Sequence, residues 1–170
     1  MERKPVIGVM GGSKATAADS ADARLLGQMI AQRGWILLNG GRNTGIMAAT
    51  AEGAREAIDA GADGLVVGVL PDPTANRAAP DLDLAIVTDM GDARNVINIL
   101  SSDVVIACPG GLGTLSEIVL AMKRGKPLIL LGGDVGDEVA RSAKRGRLAR
   151  ADTPAAAITL AANWILKGRL

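Results

Sequence analysis

The sequence predicts an α/β domain built on a parallel, doubly wound sheet, and three observations carry that prediction. Short apolar runs rich in Val, Ile and Leu alternate with longer, Ala-rich stretches of helical spacing. Glycine turns close the runs. The runs are apolar throughout, as strands are when helices cover both faces of a parallel sheet.

The first run is Pro5 to Met10, closed by Gly11-Gly12-Ser13, and Ala21 to Arg33 follows as a helix with Leu25, Leu26, Met29 and Ile30 on one side. Gly34 stops it as a C-cap glycine does. Trp35 to Leu38 is a second strand ending at Asn39-Gly40-Gly41, and Gly45 to Ala60 a second helix stopped by Gly61. Gly64 to Leu70 is a third strand, and a Pro-rich connection from Pro71 to Pro80 interrupts both periods. Leu84 to Thr88 is a fourth strand, and Asp92 caps a helix running to about Ser102. Asp103 to Cys108 is a continuous apolar strand, followed by Pro109-Gly110-Gly111 and a helix from Thr114 to about Arg124. Lys126 to Leu131 is the next strand, and Thr153-Pro154 opens a last helix with a cap residue and a Pro at the first helical position. Between them, Gly132 to Asp152 has neither period. Its basic residues Arg141, Lys144, Arg145, Arg147 and Arg150 read as a solvated helix or loop, or alternatively as a phosphate-facing edge. With no internal repeat and no linker, residues 1–170 form a single Rossmann-like domain.

A chain of 170 residues is long enough to bury roughly 70% of the surface its unfolded form exposes. Composition then narrows the chemistry. There is no His, which removes the Ser-His-Asp triad, the Cys-His pair, histidine-bearing zinc sites and imidazole bases. Acid-base work falls to carboxylates, Lys or the single Cys108, and no residue is assigned to a metal. A net charge of +1 gives no basic excess for nucleic acid, so a small molecule is the expected ligand. Trp35 and Trp164 are the only rings available for stacking on a base. No apolar stretch approaches the ~20 residues of a membrane span, and Met1-Glu2-Arg3-Lys4 before a short apolar run does not read as a targeting segment. One cysteine forms no internal disulfide. The expectation is a soluble, cytoplasmic protein without nucleic-acid or membrane partners.

In an open parallel sheet, ligands bind outside the carboxyl ends of the strands. Three glycine-rich turns lie there. They are Gly11-Gly12-Ser13-Lys14, Gly40-Gly41-Arg42-Asn43-Thr44-Gly45 and Pro109-Gly110-Gly111-Leu112-Gly113-Thr114. Glycine lets the backbone approach an anion, and a following helix offers free N–H groups and the positive end of its dipole. Together the turns point to one phosphate-bearing ligand lying across the sheet edge. The alternative is that the glycines only make tight turns and allow close packing. No turn matches a phosphate-loop NTPase or a clean dinucleotide fingerprint.

Thr114-Leu115-Ser116-Glu117 fits a capping box, with Thr114 as cap and Glu117 reaching back to the backbone. The same placement puts the Glu117 carboxylate beside the glycine turn, facing a ligand, and both readings stand. Arg94, early in its helix, opposes the helix dipole and is better placed to grip a ligand anion than to stabilise the helix; a surface pairing with Asp89 or Asp92 is the other reading. Ser13 and Thr114 either donate hydroxyls to phosphate or cap helices. Cys108 reads as a small buried residue and Trp35 as core or interface.

The run Pro109-Gly110-Gly111-Leu112-Gly113-Thr114-Leu115-Ser116-Glu117 resembles the PGGxGTxxE motif of the LOG-like superfamily, long mislabelled as lysine decarboxylases. That superfamily includes cytokinin-activating nucleoside 5'-monophosphate phosphoribohydrolases and molybdenum cofactor carrier proteins. The likeness extends over nearly the whole chain. Gly40-Gly41 with Gly45-Ile46-Met47 looks like the family's second glycine turn, and Gly68-Val69-Leu70-Pro71 like its next strand end. Arg94, fifteen positions before Pro109, fits its ligand-binding arginine.

Departures accompany these matches. Asn95 and Leu100 stand where the phosphoribohydrolases carry basic residues, and Arg42 interrupts a triple glycine. Arg94-Asn95, Gly53-Ala54, Thr114-Leu115-Ser116-Glu117-Ile118 and Asp152-Thr153-Pro154 look more like the carrier branch.

The resemblance implies two activities. In a hydrolase, the glycine turns and Arg94 hold phosphate while Glu117 stabilises the ribosyl cation and activates water, with Arg94 and Glu117 as the catalytic pair. In a carrier, Gly11, Gly12, Ser13, Gly40, Gly41, Arg42, Thr44, Gly45, Arg94, Gly110, Gly111, Gly113 and Thr114 hold the phosphate of a pterin-type cofactor and no bond breaks. The implied ligand is therefore the molybdenum cofactor or a nucleoside monophosphate, with no cofactor needed for the fold. The resemblance also implies a homodimer or homotetramer, with the apolar helices containing Ile46, Met47, Val96 and Ile97 as interface material.

Overall fold

The computed structural model describes residues 3–133 and 148–168. The elements follow in the order β1 (Val6–Met10), α1 (Ala17–Gln32), β2 (Ile36–Asn39), α2 (Gly45–Asp59), β3 (Leu65–Leu70) and β4 (Leu84–Val87). A 3-10 turn (Gly91–Arg94) then leads into α3 (Asn95–Ser101), β5 (Val104–Ala107), α4 (Leu112–Lys123), β6 (Leu128–Leu131), β7 (Leu148–Ala151) and α5 (Pro154–Gly168). All seven strands pair in parallel in the order β4-β3-β2-β1-β5-β6-β7. The order reverses between β1 and β5, which creates a crevice beyond their carboxyl ends. Met10 pairs with Ala107 there, so the turns after β1 and β5 leave the sheet side by side.

Alternate side chains of each strand feed two cores. Ile7, Val9, Leu37, Val66, Ile106 and Ile129 pack beneath α1, α2 and α5. On the opposite face Met10, Val105, Leu128 and Leu130 pack beneath Ile99 of α3 and Ile118 and Met122 of α4. Helices α1 and α2 touch through glycines. A Cβ on Gly27 would run into Thr50 O, and one on Gly53 into Arg24 O. This close contact fixes the position of α2 and of the glycine turn before it.

Several elements differ from expectation, each for a physical reason. Helix α1 starts at Ala17 rather than Ala21 because Thr16 and Asp19 form a capping box, with Asp19 N–H donating to Thr16 Oγ1 at 3.1 Å. Its buried face is Ala23, Leu26, Gly27, Ile30 and Ala31, which leaves Leu25 exposed. Asp92 does not cap α3; it lies within the 3-10 turn. Helix α4 starts at Leu112, with Gly111 in an extended conformation as its N-cap, so Thr114 and Glu117 are inside the helix and form no capping box. Both are buried.

Strand β7 was not legible in the stretch Gly132 to Asp152, and it pairs with β6 from Leu128↔Leu148 to Leu131↔Ala151. Arg150 lies on it, while Arg141, Lys144, Arg145 and Arg147 fall outside the described residues. Ile46 and Met47 are buried, so they are not surface interface material, whereas Val96 is exposed and Ile97 half-buried. Trp35 is core, with the Arg33 guanidinium 5.5 Å from its ring centre. Among the described residues, no helix is long and apolar enough to cross a membrane.

Candidate functional site

The three glycine turns are stitched together by their backbones. Gly12 N–H donates to Pro109 O and Ile46 N–H to Gly12 O, each at 3.0 Å, so the turn after β1 bridges the other two. The second turn spends its polar groups internally. Gly41 N–H donates to Asn39 Oδ1 at 2.8 Å, and the Asn39 amide donates to Met47 O and Thr50 Oγ1. Since Ile46 N–H, in the first turn of α2, already serves Gly12, this end is partly filled. Helix α4 is open by contrast. Its first backbone bond is Leu115 N–H to Gly111 O, which leaves the amides of Leu112, Gly113 and Thr114 ahead of the ladder. Gly111 and Gly113 face open space.

Above this end lies a cleft of about 210 Å³. Gly11, Gly12, Ser13 and Gly40 line one side, and Gly111, Gly113, Thr114 and Glu117 of the α4 turn line the other. Arg94 and Asn95 close the cleft, and Asp92 adds a carboxylate. Gly41, Arg42, Thr44, Gly45 and Gly110 do not line it. Arg42 instead makes a two-pronged contact with Asp72 (3.0 and 2.9 Å), tying the second turn to the loop after β3. Thr44 is the exposed N-cap residue of α2. Gly45, at φ +52°, packs on Gly12 O, and Gly110 packs under Thr114 Oγ1.

Arg94 ends the 3-10 turn and is 8% exposed, which removes the surface pairing with Asp89 or Asp92. Its Nη1 stands 3.7 Å from Glu117 Oε1, an ion pair too long for a good hydrogen bond, and its buried Nε has no partner. Gly40 makes room for this side chain: a Cβ there would sit 2.6 Å from Arg94 Nη2 and from Met47 Sδ. Burial pulls the Arg94 pKa down and the Glu117 carboxylate pulls it back, and a guanidinium stays charged at neutral pH regardless. Burial pushes the Glu117 carboxyl up to about 7 against the opposing effects of Arg94 and the Asn98 amide. Cys108 is buried, and its thiol is pushed up to about 12, which leaves it without nucleophilic character.

The site therefore combines a fixed cation, three open amides and a carboxylate near its titration point, all walled by glycine. Such a set has the charge and the free donors to meet an anion, and a carboxyl able to hold or release one proton. The cleft also includes Met10, Met47 and Asn95, which the sequence reading did not place there. Asn98 sits behind it on α3, four residues after Arg94. That spacing from the residue that caps α3, together with an amide inside the run Val96-Ile97-Asn98-Ile99-Leu100, is the signal that would have found it.

Solved structures with this architecture include the molybdenum cofactor binding protein from the phototrophic bacterium Rippkaea orientalis. It is 46% identical, with a TM-score of 0.89 over 97% of this chain and 99% of that one. The molybdenum cofactor carrier protein from Chlamydomonas reinhardtii is 39% identical, with a TM-score of 0.86 over 96% and 99%. A cytokinin riboside 5'-monophosphate phosphoribohydrolase from Mycobacterium tuberculosis is 37% identical over 129 residues, 68% of this chain and 66% of that protein. The sequence profile of the SLOG cluster4 family matches residues 4–158. A match over that span, on a glycine-walled cleft at the sheet's switch point, means that the chain belongs to the SLOG cluster4 family.

Proposed function

We propose that the cleft binds the phosphate of a small molecule, and that the chain is a molybdenum cofactor carrier rather than a hydrolase. The observation that carries this reading is the convergence of the buried Arg94 guanidinium and the open α4 amides on one glycine-walled space. Charge-assisted contacts from an arginine and a helix N-terminus suit phosphate. Asn95 supplies a neutral side chain to the same wall, at a position where the motif resemblance implies a basic residue in the phosphoribohydrolases. Leu100 is exposed and outside the cleft, so the second basic position does not alter the site within one chain. The end-to-end likeness to the two molybdenum cofactor proteins supports the carrier reading further.

Glu117 favours a second reading. A buried carboxyl near 7, beside an arginine in an anion-binding cleft, is equipped to act on a ribosyl centre, and a relative named as a phosphoribohydrolase supports this. Incubation with several nucleoside monophosphates, followed by chromatography of free base, separates the two. A carrier releases almost none. Robust turnover by the parent, lost in Glu117→Gln with binding retained, overturns the carrier assignment.

A further inference from the structure

Asn98 is fully buried on α3, yet neither atom of its amide has a hydrogen-bond partner. Its neighbours Ile97 and Ile99 are aliphatic, and an apolar residue would satisfy this position in the core, so packing does not explain the amide. Nor does Asn98 line the cleft. It faces Glu117, close enough to favour the charged carboxylate without completing a hydrogen bond. Arg94 has an orphaned Nε and only a 3.7 Å contact to Glu117. Three buried polar groups from the 3-10 turn, α3 and α4 thus meet with hydrogen-bonding capacity unspent. This is the state expected when the missing partner is a ligand.

We propose that Asn98 is a positioning residue of the cleft: when a bound anion draws the Arg94 guanidinium away, the Glu117 carboxylate turns onto the Asn98 Nδ2–H. Arg94 then spends its donors on the anion, and Glu117 exchanges a loose ion pair for a hydrogen bond. Like-charge repulsion between carboxylate and anion is met by moving the carboxylate back from the cleft. The charged groups facing Glu117 are Arg94 and, at longer range, Asp92; Asn98 is the uncharged donor among its neighbours. The inference rests on the anion-binding reading above and adds a residue that acts through Glu117 rather than on the ligand.

The probe is inorganic sulfate, whose charge is constant across the range, titrated by calorimetry into the parent and Asn98→Leu at pH 5.5 and pH 8. Leu keeps the branching and heavy-atom count and removes the amide, and Asn98→Met, which adapts to irregular cores, serves as a second apolar variant. At pH 8, where Glu117 is ionised and needs its new partner, the Asn98 variants bind about tenfold or more weakly, as expected for a lost hydrogen bond to a charged group. At pH 5.5 they match the parent, and Asn98→Leu melts no lower than the parent without ligand. In a Glu117→Gln background, Asn98→Leu shows no pH-dependent effect. Equal affinity at pH 8, or the same loss at both pH values, assigns Asn98 to plain packing and overturns the proposal. Failure of the parent itself to bind sulfate overturns the anion-binding reading, and this inference with it.

Discussion

Arg94 Nη1 and Glu117 Oε1 face each other across 3.7 Å, both side chains almost fully buried, beside the α4 start whose leading amides precede its helical ladder. The pair is loose because neither group is satisfied by the other. An incoming anion has a fixed cation to meet and a carboxylate that a proton can silence.

Replacing Arg94 with Ala removes a charge-assisted contact, and anion affinity falls by roughly ten- to a hundredfold. Because the guanidinium is buried beside Glu117, its loss leaves that carboxyl without its partner and stability falls too, by about 1–3 kcal/mol. Arg94→Lys keeps the charge and loses the fork, so it retains more stability than Ala while still binding the anion weakly. Calorimetry and thermal melts on both variants check this. Parental affinity in Arg94→Ala returns the residue to a structural role.

Glu117 makes stability depend on pH, and the sign follows from the raised pKa. Its folded value of about 7 lies above the ordinary 4.5, so the folded state holds a proton that the unfolded chain releases between those values. The contribution is fully present below about pH 4.5 and lost as pH rises through 7, amounting to at most ~3 kcal/mol. Urea unfolding at pH 5 and pH 8 should show the parent weakening and Glu117→Gln weakening less. Identical pH slopes in parent and variant contradict the assignment.

Gly111 and Gly40 separate access from packing. Gly111 faces open space in an extended conformation, so Gly111→Val changes stability by less than about 1 kcal/mol and weakens anion binding by crowding the open amides. A Cβ at Gly40 meets the ends of the Arg94 and Met47 side chains, so Gly40→Ala displaces the guanidinium and lowers the affinity more than the melt. A collapsed melt in Gly111→Val would show that this glycine serves packing.

Most of the fold was legible because buried parallel strands are continuous apolar runs, and β1, β2, β3 and β5 fall within a residue or two of where those runs lie. Strand β7, Leu148–Ala151, was hidden because its four residues include Arg150 and belong to the sheet edge, where apolarity is not required. Capping shows the limit of local pattern. Thr16-x-x-Asp19 forms a real box that hydrophobic spacing overlooked, while Thr114-x-x-Glu117 matches the pattern and forms none. The deciding factor at α4 is Gly111, which caps the helix first and turns Glu117 inward. The glycine turns and Arg94 were readable one by one. That Arg94 meets Glu117, and that Asn98 lies behind both, depends on how α3 packs against α4, which no spacing in the sequence reports.

The most direct test is a crystal structure of the protein grown with a phosphate-bearing ligand such as AMP. The account predicts the phosphate over the amides of Leu112, Gly113 and Thr114, within hydrogen-bond reach of Arg94. A phosphate bound elsewhere, with this cleft left to solvent, would contradict it.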